Sequence, residues 1–184
     1  MMNKNLFKNI IAVVVLLSVL LQMTTSSSSA ATKRETKSFL RDRTLVYTYQ
    51  YFDGNSKSYE SFRFSYEENK SYNWFTKDGI ELWESQTKTE YFHGGGYGGG
   101  HYMKRNARVG DKIYSYGSSE KYYDGKIISV NAKVKTKAKV FTNCTIIREQ
   151  DGDKRYYAPG HGIVKEVNAK GEVVKQLYSL KKVN

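Results

Sequence analysis

The feature of this sequence that most constrains its fold is the regular spacing of turn signals between short runs of strand-forming residues. Turn signals include FDGN at 52–55, KDG at 77–79, YDG at 123–125 and QDGD at 150–153. Between them lie alternating runs such as LVYTYQYF at 45–52 and KIISVNAKVKTKAKVF at 126–141, each expected to be one strand. Such alternation is typical of strands, and Asp-Gly turns join antiparallel neighbours. We therefore expect an all-β domain of roughly nine to eleven strands in antiparallel meander order, forming a strongly curved sheet or a partly open barrel with at most one short helix.

Residues 1–31 read as a secretory signal peptide. Two lysines within the first eight residues precede an apolar run at 10–21, and a Ser/Ala-rich stretch ends at Ala30 and Ala31. The apolar run is shorter than the about 20 residues that a membrane-spanning helix needs. We therefore expect cleavage after residue 30 or 31 and no stable transmembrane segment afterwards. The expected location is extracellular, with association with the cell wall as one form of it.

Two further segments follow the signal peptide. Residues 32–43, KRETKSFLRDR with its neighbours, are the least strand-like piece and are expected to be flexible or helical. Residues 44–184 are expected to form a single antiparallel β domain. Cys144 is the only cysteine, so no intramolecular disulfide can form, which is typical of a bacterial rather than a small eukaryotic secreted protein.

The chain is strongly basic, with a formal net charge of +12. Two of these charges lie in the signal segment and are lost with it. The remaining excess favours anionic partners such as cell-wall polymers or lipid head groups, although solubility alone also explains it. No RNA-recognition fingerprint is present, so nucleic acid is not the expected partner.

The most concentrated positive charge lies in AKVKTKAKV at 132–140. If this run is one strand, alternation places Lys133, Lys135, Lys137 and Lys139 on one face. Such a stripe is a candidate binding site for an anionic polymer. The alternative explanation is that lysines on an edge strand prevent pairing with other sheets.

Aromatic residues are the second candidate binding surface. The 16 tyrosines, 8 phenylalanines and 2 tryptophans are enough to line a groove for a glycan or lipid. Trp74, Trp83 and Tyr97 are the aromatic residues that we consider for ligand contact. The alternative is that most of these rings form the core of the β domain.

The segment EYFHGGGYGGGHYMKRN at 90–106 contains six glycines between His93 and His101. His-Gly-Gly-Gly can form part of an esterase oxyanion hole, but the required G-x-S-x-G nucleophile elbow is absent from the sequence. His93 and His101 are weak metal-ligand candidates, with His161 as the only other histidine, and their spacing matches no recognised metal motif. We therefore expect no metal and no cofactor. The remaining interpretation is a mobile hairpin connection that gates a cavity.

Carboxylates were considered because secreted basic proteins include glycan hydrolases. Glu81 and Glu84 flank Trp83, and Glu67 and Glu68 are adjacent. A glycosidase needs two carboxyl groups held at a set separation across a cleft. The sequence alone pairs none of them, so no catalytic residue is assigned.

Three motifs in the C-terminal half form a recognisable combination. They are Val109-Gly110-Asp111, the group Phe141, Asn143 and Cys144, and YYAPGHGIVK at 156–165. Together they resemble the C-terminal half of a loose group of bacterial secreted proteins and lipoproteins of unknown function. The resemblance covers about a third of the chain and departs from the pattern at Lys139-Val140-Phe141, where the glycine that usually precedes the phenylalanine is absent. It implies a curved antiparallel sheet similar to lipoprotein-carrier-like folds, and it implies no enzyme activity.

These observations favour a non-catalytic binding module for an anionic or amphipathic component of the cell envelope. Two alternatives remain open. The first is a secreted hydrolase of cell-wall glycan, and the second is a protective or antagonist protein that binds another protein.

Overall fold

The structure, a computed structural model, describes residues 36–95, 100–116 and 121–183. Within these ranges it contains no helix and twelve antiparallel strands, which confirms the all-β prediction and exceeds the expected strand number. The strands are β1 (Leu45–Asp53), β2 (Ser56–Glu68), β3 (Ser71–Phe75), β4 (Glu81–Gln86), β5 (Glu90–Gly95), β6 (Gly100–Lys104), β7 (Lys112–Tyr116), β8 (Lys121–Lys135), β9 (Val140–Glu149), β10 (Lys154–Ala158), β11 (Gly162–Val167) and β12 (Val173–Lys182).

The strands follow one another around a closed barrel. Each strand pairs with the next one in the chain, and β12 pairs back to β1 from Leu45↔Lys182 to Tyr51↔Lys175. Because the order is a simple meander, turns that follow even-numbered strands share one end, which we call the basic end. Turns that follow odd-numbered strands share the other, which we call the acidic end; both names refer to charges described below.

Large side chains from opposite walls fill the interior as two apolar clusters. The first cluster is built mainly on β1, β3 and the β8–β9 hairpin, and the second mainly on β5 to β8, β10 and β11. Trp74, Tyr47 and Tyr91 are each 0% exposed, so part of the aromatic supply forms the core, whereas Tyr59 and Tyr66 of β2 stay exposed. A buried aromatic ring contributes roughly 2–3 kcal/mol through removal of its apolar surface from water.

Residues 36–43 cross the barrel at its basic end. The Gly160 N–H donates to the Ser38 carbonyl (2.8 Å), and the Phe39 N–H donates to Gln86 Oε1 (3.0 Å). Gln86 ends β4 and Gly160 follows β10, and these strands are six apart in a ring of twelve. The segment therefore spans the barrel, and it is neither helix nor strand, so the helical alternative expected for 32–43 is wrong for 36–43.

The segment is anchored by a fully buried ion pair. Arg41 Nη1 lies 2.7 Å from Glu84 Oε2, and the two side chains are 1% and 0% exposed. The Arg41 backbone N–H donates to Glu84 Oε1 (2.8 Å), and the Tyr91 hydroxyl donates to Oε2 (2.8 Å). The guanidinium also donates to the Tyr49 hydroxyl at 3.2–3.3 Å. Gly162, with φ of 61°, makes room for Arg41, since a Cβ there would lie 2.8 Å from its Cζ.

The longest hairpin, β8–β9, ends differently from the sequence expectation. The run at 126–141 was expected to be one strand, but β8 ends at Lys135 and a turn follows at 136–139. Ala138 N–H donates to the Leu177 carbonyl of β12 (3.2 Å), so the hairpin tip reaches a strand that is three positions from β9 in the ring. Three register shifts between Ile127 and Val134 bend the hairpin into this position.

The buried ion pair generates a stability prediction. Glu84→Gln keeps the side-chain shape but leaves Arg41 buried without a counter-charge, which is expected to cost about 3–5 kcal/mol of unfolding free energy. Urea unfolding followed by tryptophan fluorescence measures this loss. The double replacement Arg41→Met/Glu84→Leu should cost less than Glu84→Gln alone, because no uncompensated charge remains. A loss below about 1 kcal/mol for Glu84→Gln would contradict the anchoring role.

Candidate functional site

An interior polar cluster near the acidic end contains side chains of the types that bind metals or act in catalysis. His93 on β5 and His101 on β6 are direct cross-strand partners, and their ring centroids are 5.2 Å apart with the planes inclined by 21°. Alternation on both strands turns the two rings inward. The glycine-rich segment therefore does bring its two histidines together, as a metal clip would require.

Three of the four ring nitrogens of these histidines lie within hydrogen-bonding distance of other side chains. His101 Nδ1 lies 2.7 Å from Asp124 Oδ2 and its Nε2 lies 2.5 Å from Arg155 Nη1. His93 Nε2 lies 2.8 Å from the Tyr157 hydroxyl. Across the described ranges, no three His, Cys, Asp or Glu side chains are grouped so as to hold a metal ion. The remaining histidine, His161, sits in the β10–β11 turn at the basic end, so the three histidines do not converge.

The same cluster contains serine, histidine and aspartate, but not in a catalytic arrangement. Ser115 Oγ lies 2.9 Å from His101 Nδ1, the same nitrogen that faces Asp124. In a catalytic triad the serine and the aspartate bond to opposite ring nitrogens, so that the imidazole takes the serine proton on one nitrogen while the aspartate orients it through the other. Ser115 is moreover only 3% exposed. The arrangement therefore orients the imidazole without activating the hydroxyl.

The charges of the cluster neutralise one another. Arg155 Nε lies 2.5 Å from Glu149 Oε1, and Lys175 Nζ lies 3.3 Å from Glu166 Oε1. Burial raises the pKa of Glu149 to about 7, although Arg155 opposes this shift. The hydrogen bond from His101 lowers the pKa of Asp124. The cluster thus satisfies buried polar groups inside a wide barrel, which is a structural role.

The lysines singled out from the sequence occupy two kinds of position. Lys133 and Lys135 project from the outer face of β8, whereas Lys137 and Lys139 lie in the turn beyond it. All four are exposed. Lys139 Nζ lies 3.2 Å from His161 Nε2 and 4.9 Å from the Phe141 ring centroid. The lysines are therefore gathered at one hairpin tip rather than along one strand face.

The aromatic candidates are separated by the fold. Trp74 is 0% exposed between Tyr47 and Phe64 and has no accessible face for a ligand. Trp83 lies on the outer wall of β4, partly exposed. Tyr97 is outside the described residues.

The glycines of the 90–106 segment have a packing role at the two strand ends. Gly94 on β5 faces Trp83, and a Cβ there would lie 2.6 Å from the Trp83 Cζ2 atom. A Cβ on Gly100 would overlap the Phe92 ring. Glycine at these positions lets both rings lie flat against the backbone of the neighbouring strand.

The carboxylates considered for glycan hydrolysis are not paired across a cleft. Glu84 forms an ion pair with Arg41 in the interior, and Glu81 projects from the opposite face of β4. Glu67 forms a surface ion pair with Arg43 (3.2 Å). These positions give the hydrolase alternative no support.

Sequence reasoning missed the inward charges of the second half of the chain. Arg155 and Tyr157 share one face of β10, because side chains two positions apart in a strand point the same way. Tyr157 is buried, and its apolar ring is the one local signal that Arg155 also points inward. Asp124 and Glu149 gave no such signal, because their partners lie on other strands.

Comparisons with known proteins add no relative. No protein-family model matches the chain, no curated protein is significantly similar to it, and no solved structure matches its fold. Among the residues that the structure describes there is no helix of the length and hydropathy that crossing a membrane requires.

His161 generates a prediction about pH. Burial, aided by repulsion from Lys139, lowers the pKa of His161 to about 4. In the unfolded chain this pKa returns to about 6.5, so the unfolded state binds more protons and stability falls as the pH drops below 6.5. When the pH falls from 7 to 5, the free energy of unfolding should decrease less in His161→Gln than in the wild type. The two decreases should differ by at most about 2 kcal/mol. Equal losses in urea titrations at both pH values would contradict this assignment.

Gly94 generates a prediction about packing. Gly94→Ala places a methyl group against the Trp83 indole and should cost about 1–3 kcal/mol of unfolding free energy. The same change in a Trp83→Ala background should cost much less, because the obstructing ring is gone. Urea unfolding of the four proteins of this cycle measures the coupling, and additive costs would show that Trp83 is not the obstacle.

Proposed function

We propose that this protein is a non-catalytic binding module that attaches through its basic end to phosphodiester-bearing polymers or head groups. The observation that carries the proposal is the unequal charge of the two barrel ends. Apart from the buried Arg41, the segments of the basic end contain fourteen basic and five acidic residues. These segments are 36–44, 67–71, 87–90, 104–112, 133–140, 159–161 and 181–183.

The opposite end has the reverse balance. Its described segments contain three basic and eight acidic residues. These segments are 53–57, 77–81, 122–125, 149–153 and 168–172. A barrel charged in this way is oriented by an anionic surface or polymer, with its basic end foremost, and electrostatic steering raises the association rate.

The hairpin tip at the basic end supports direct contact. Within the described part of the chain, no carboxylate forms an ion pair with Lys133, Lys135 or Lys137. The neighbouring His161 stays neutral at pH 7, because its pKa is lowered to about 4 by burial and by Lys139. The ammonium groups are therefore free to bind phosphate oxygens through charge-assisted hydrogen bonds.

Protection of a strand edge explains only part of this charge. Lys133 and Lys135 lie on the part of β8 that extends beyond its pairing with β7, so they also discourage pairing with another sheet. That explanation does not apply to Lys137 and Lys139, which lie in the turn. Nor does it apply to the basic turns of other strands at the same end. The predicted signal peptide would place such a protein where anionic envelope polymers are found.

The test is binding of the mature chain to soluble poly(glycerol phosphate) and to phosphatidylglycerol vesicles across a salt series. These two arms share the glycerol phosphate group and distinguish a polymer from a lipid source. Lys135→Glu/Lys137→Glu should weaken binding at least about ten-fold at low salt. If each lysine neutralises one phosphate, the slope of log affinity against log salt should fall in magnitude by about 2.

A matched control carries the same change in net charge at distant turns. Lys57→Glu/Lys170→Glu alters two exposed lysines of the acidic end. It should retain most of the affinity. If both double variants lose affinity equally, net charge rather than the basic end governs binding, and absence of binding in both arms would reject the proposal. Tighter binding to duplex DNA than to both probes would contradict the partner class.

A further inference from the structure

A row of aromatic rings crosses the outer wall of the barrel, away from the basic end's hairpin tip. It takes one ring from each of five consecutive strands, β4 to β8. We call the five residues the aromatic row: Trp83, Phe92, Tyr102, Tyr114 and Tyr123. Trp83 and Phe92 have ring centroids 4.4 Å apart, and Phe92 and Tyr102 4.1 Å apart.

The aromatic row is partly open to solvent, and the planes of its neighbouring rings are inclined by 42° for Trp83 and Phe92, 49° for Phe92 and Tyr102, and 77° for Tyr114 and Tyr123. All five rings keep some exposure, and Tyr123 is 38% exposed. Gly94 and Gly100 form the floor under Trp83 and Phe92, as described above, so those rings lie along the wall instead of projecting from it. At about 4.8 Å per strand, the row extends over roughly 19 Å.

A row of four basic residues continues in the same direction. Lys112, Lys126, Arg148 and Lys154 stand on β7, β8, β9 and β10, and each faces the next as a direct cross-strand partner. We call them the basic ladder. Like charges placed directly opposite one another destabilise a sheet. Among the described residues, no carboxylate forms an ion pair with any of the four.

The two rows meet on β7 and β8. Lys112 Nζ lies 5.8 Å from the centroid of the Tyr123 ring. Tyr123, Lys126 and Arg148 line a surface recess of about 450 Å³, closed on one side by the turn at 149–152. The aromatic row thus leads into a recess that is lined by Lys126 and Arg148 and also by Glu149 and Asp151 of the turn.

We propose that this wall binds an acidic sugar chain, with sugar rings stacked on the aromatic row and an anionic group held by the basic ladder. The negative face of an aromatic ring attracts the polarised C–H groups of a sugar. The four cations of the basic ladder repel one another, and an anionic group of the sugar chain compensates their charge. This site uses residues other than the lysines of the hairpin tip and is independent of the proposed function.

The distribution of charge favours a sugar chain over single-stranded nucleic acid. A nucleic acid carries one phosphate for each stacked base and is bound where cations accompany the rings along their whole length. Beside the first three rings, the outer wall carries Glu81 and Glu90, and Lys104 is the direct partner of Glu90. The cations are concentrated at one end of the row, which fits a chain with a neutral part and an anionic part.

The test uses the full mature chain with pentagalacturonate that is methyl-esterified on three adjacent rings and with a hyaluronate hexasaccharide, measured by tryptophan fluorescence and by calorimetry. The full methyl ester of pentagalacturonate is the neutral comparison, and oligo(dT) of similar length is the nucleic-acid comparison. At least one acidic glycan should bind about ten-fold more tightly than the ester or the DNA and should change the Trp83 emission. No binding by either glycan, or tighter binding of the DNA, would overturn the proposal.

Two variants locate the site. Trp83→Ala/Tyr102→Ala should remove the stacking contacts, and Lys126→Glu/Arg148→Glu should remove the charge contacts, each lowering glycan affinity about ten-fold. The ladder variant should also raise the thermal midpoint, because it makes the β7–β8 and β9–β10 pairs of the ladder attractive, while the β8–β9 pair stays like-charged as in the wild type. That rise separates loss of binding from loss of folding.

Two controls keep this result separate from the basic-end proposal. Lys57→Glu/Lys170→Glu makes the same charge change elsewhere and should bind the glycan like the wild type. Lys135→Glu/Lys137→Glu should lose poly(glycerol phosphate) but keep the glycan. If the aromatic and ladder variants bind the glycan unchanged, the outer wall is not its site.

Discussion

The constraint on which the rest of this structure depends is the need to fill a closed barrel of twelve strands. Eight strands already enclose a space that side chains can just fill, and the diameter grows with strand number. Here the additional space is occupied by tyrosine and tryptophan rings, by the bent β8–β9 hairpin and by residues 36–43. The segment brings Arg41 into the interior, so Glu84 must be there to neutralise it.

The inside and the outside of the barrel treat charge in opposite ways. Inside, each charged group has a partner at hydrogen-bonding distance, as in the contacts of Arg155 with Glu149 and of Lys175 with Glu166. An unpaired charge there would cost several kcal/mol. Outside, the basic ladder and the hairpin-tip lysines are left without carboxylate partners in the described residues. Water screens those charges in the free protein, and an anionic partner can replace the water.

Much of the fold could be predicted because its signals are local. Period-two alternation in 45–52 and the Asp-Gly turns predicted strands and meander order, and both are found. The strand expected over 126–141 is interrupted because Thr136 hydrogen-bonds to the Lys139 backbone and closes a turn that alternation alone does not reveal. The non-helical course of residues 36–43 follows from contacts with distant strands, for which the segment itself carries no pattern.

The sequence by itself determined the all-β class, the strand order, the excess of positive charge and the aromatic supply, since each depends on composition or on neighbours a few positions apart. Only the tertiary structure decided which aromatic residues became core and which lie on the outer wall. It alone aligned Lys112, Lys126, Arg148 and Lys154, because cross-strand register is set by bulges such as the one between Ile113 and Tyr114. A shift of one residue would turn any of these side chains inward, so their alignment follows from ring closure and register rather than from local sequence.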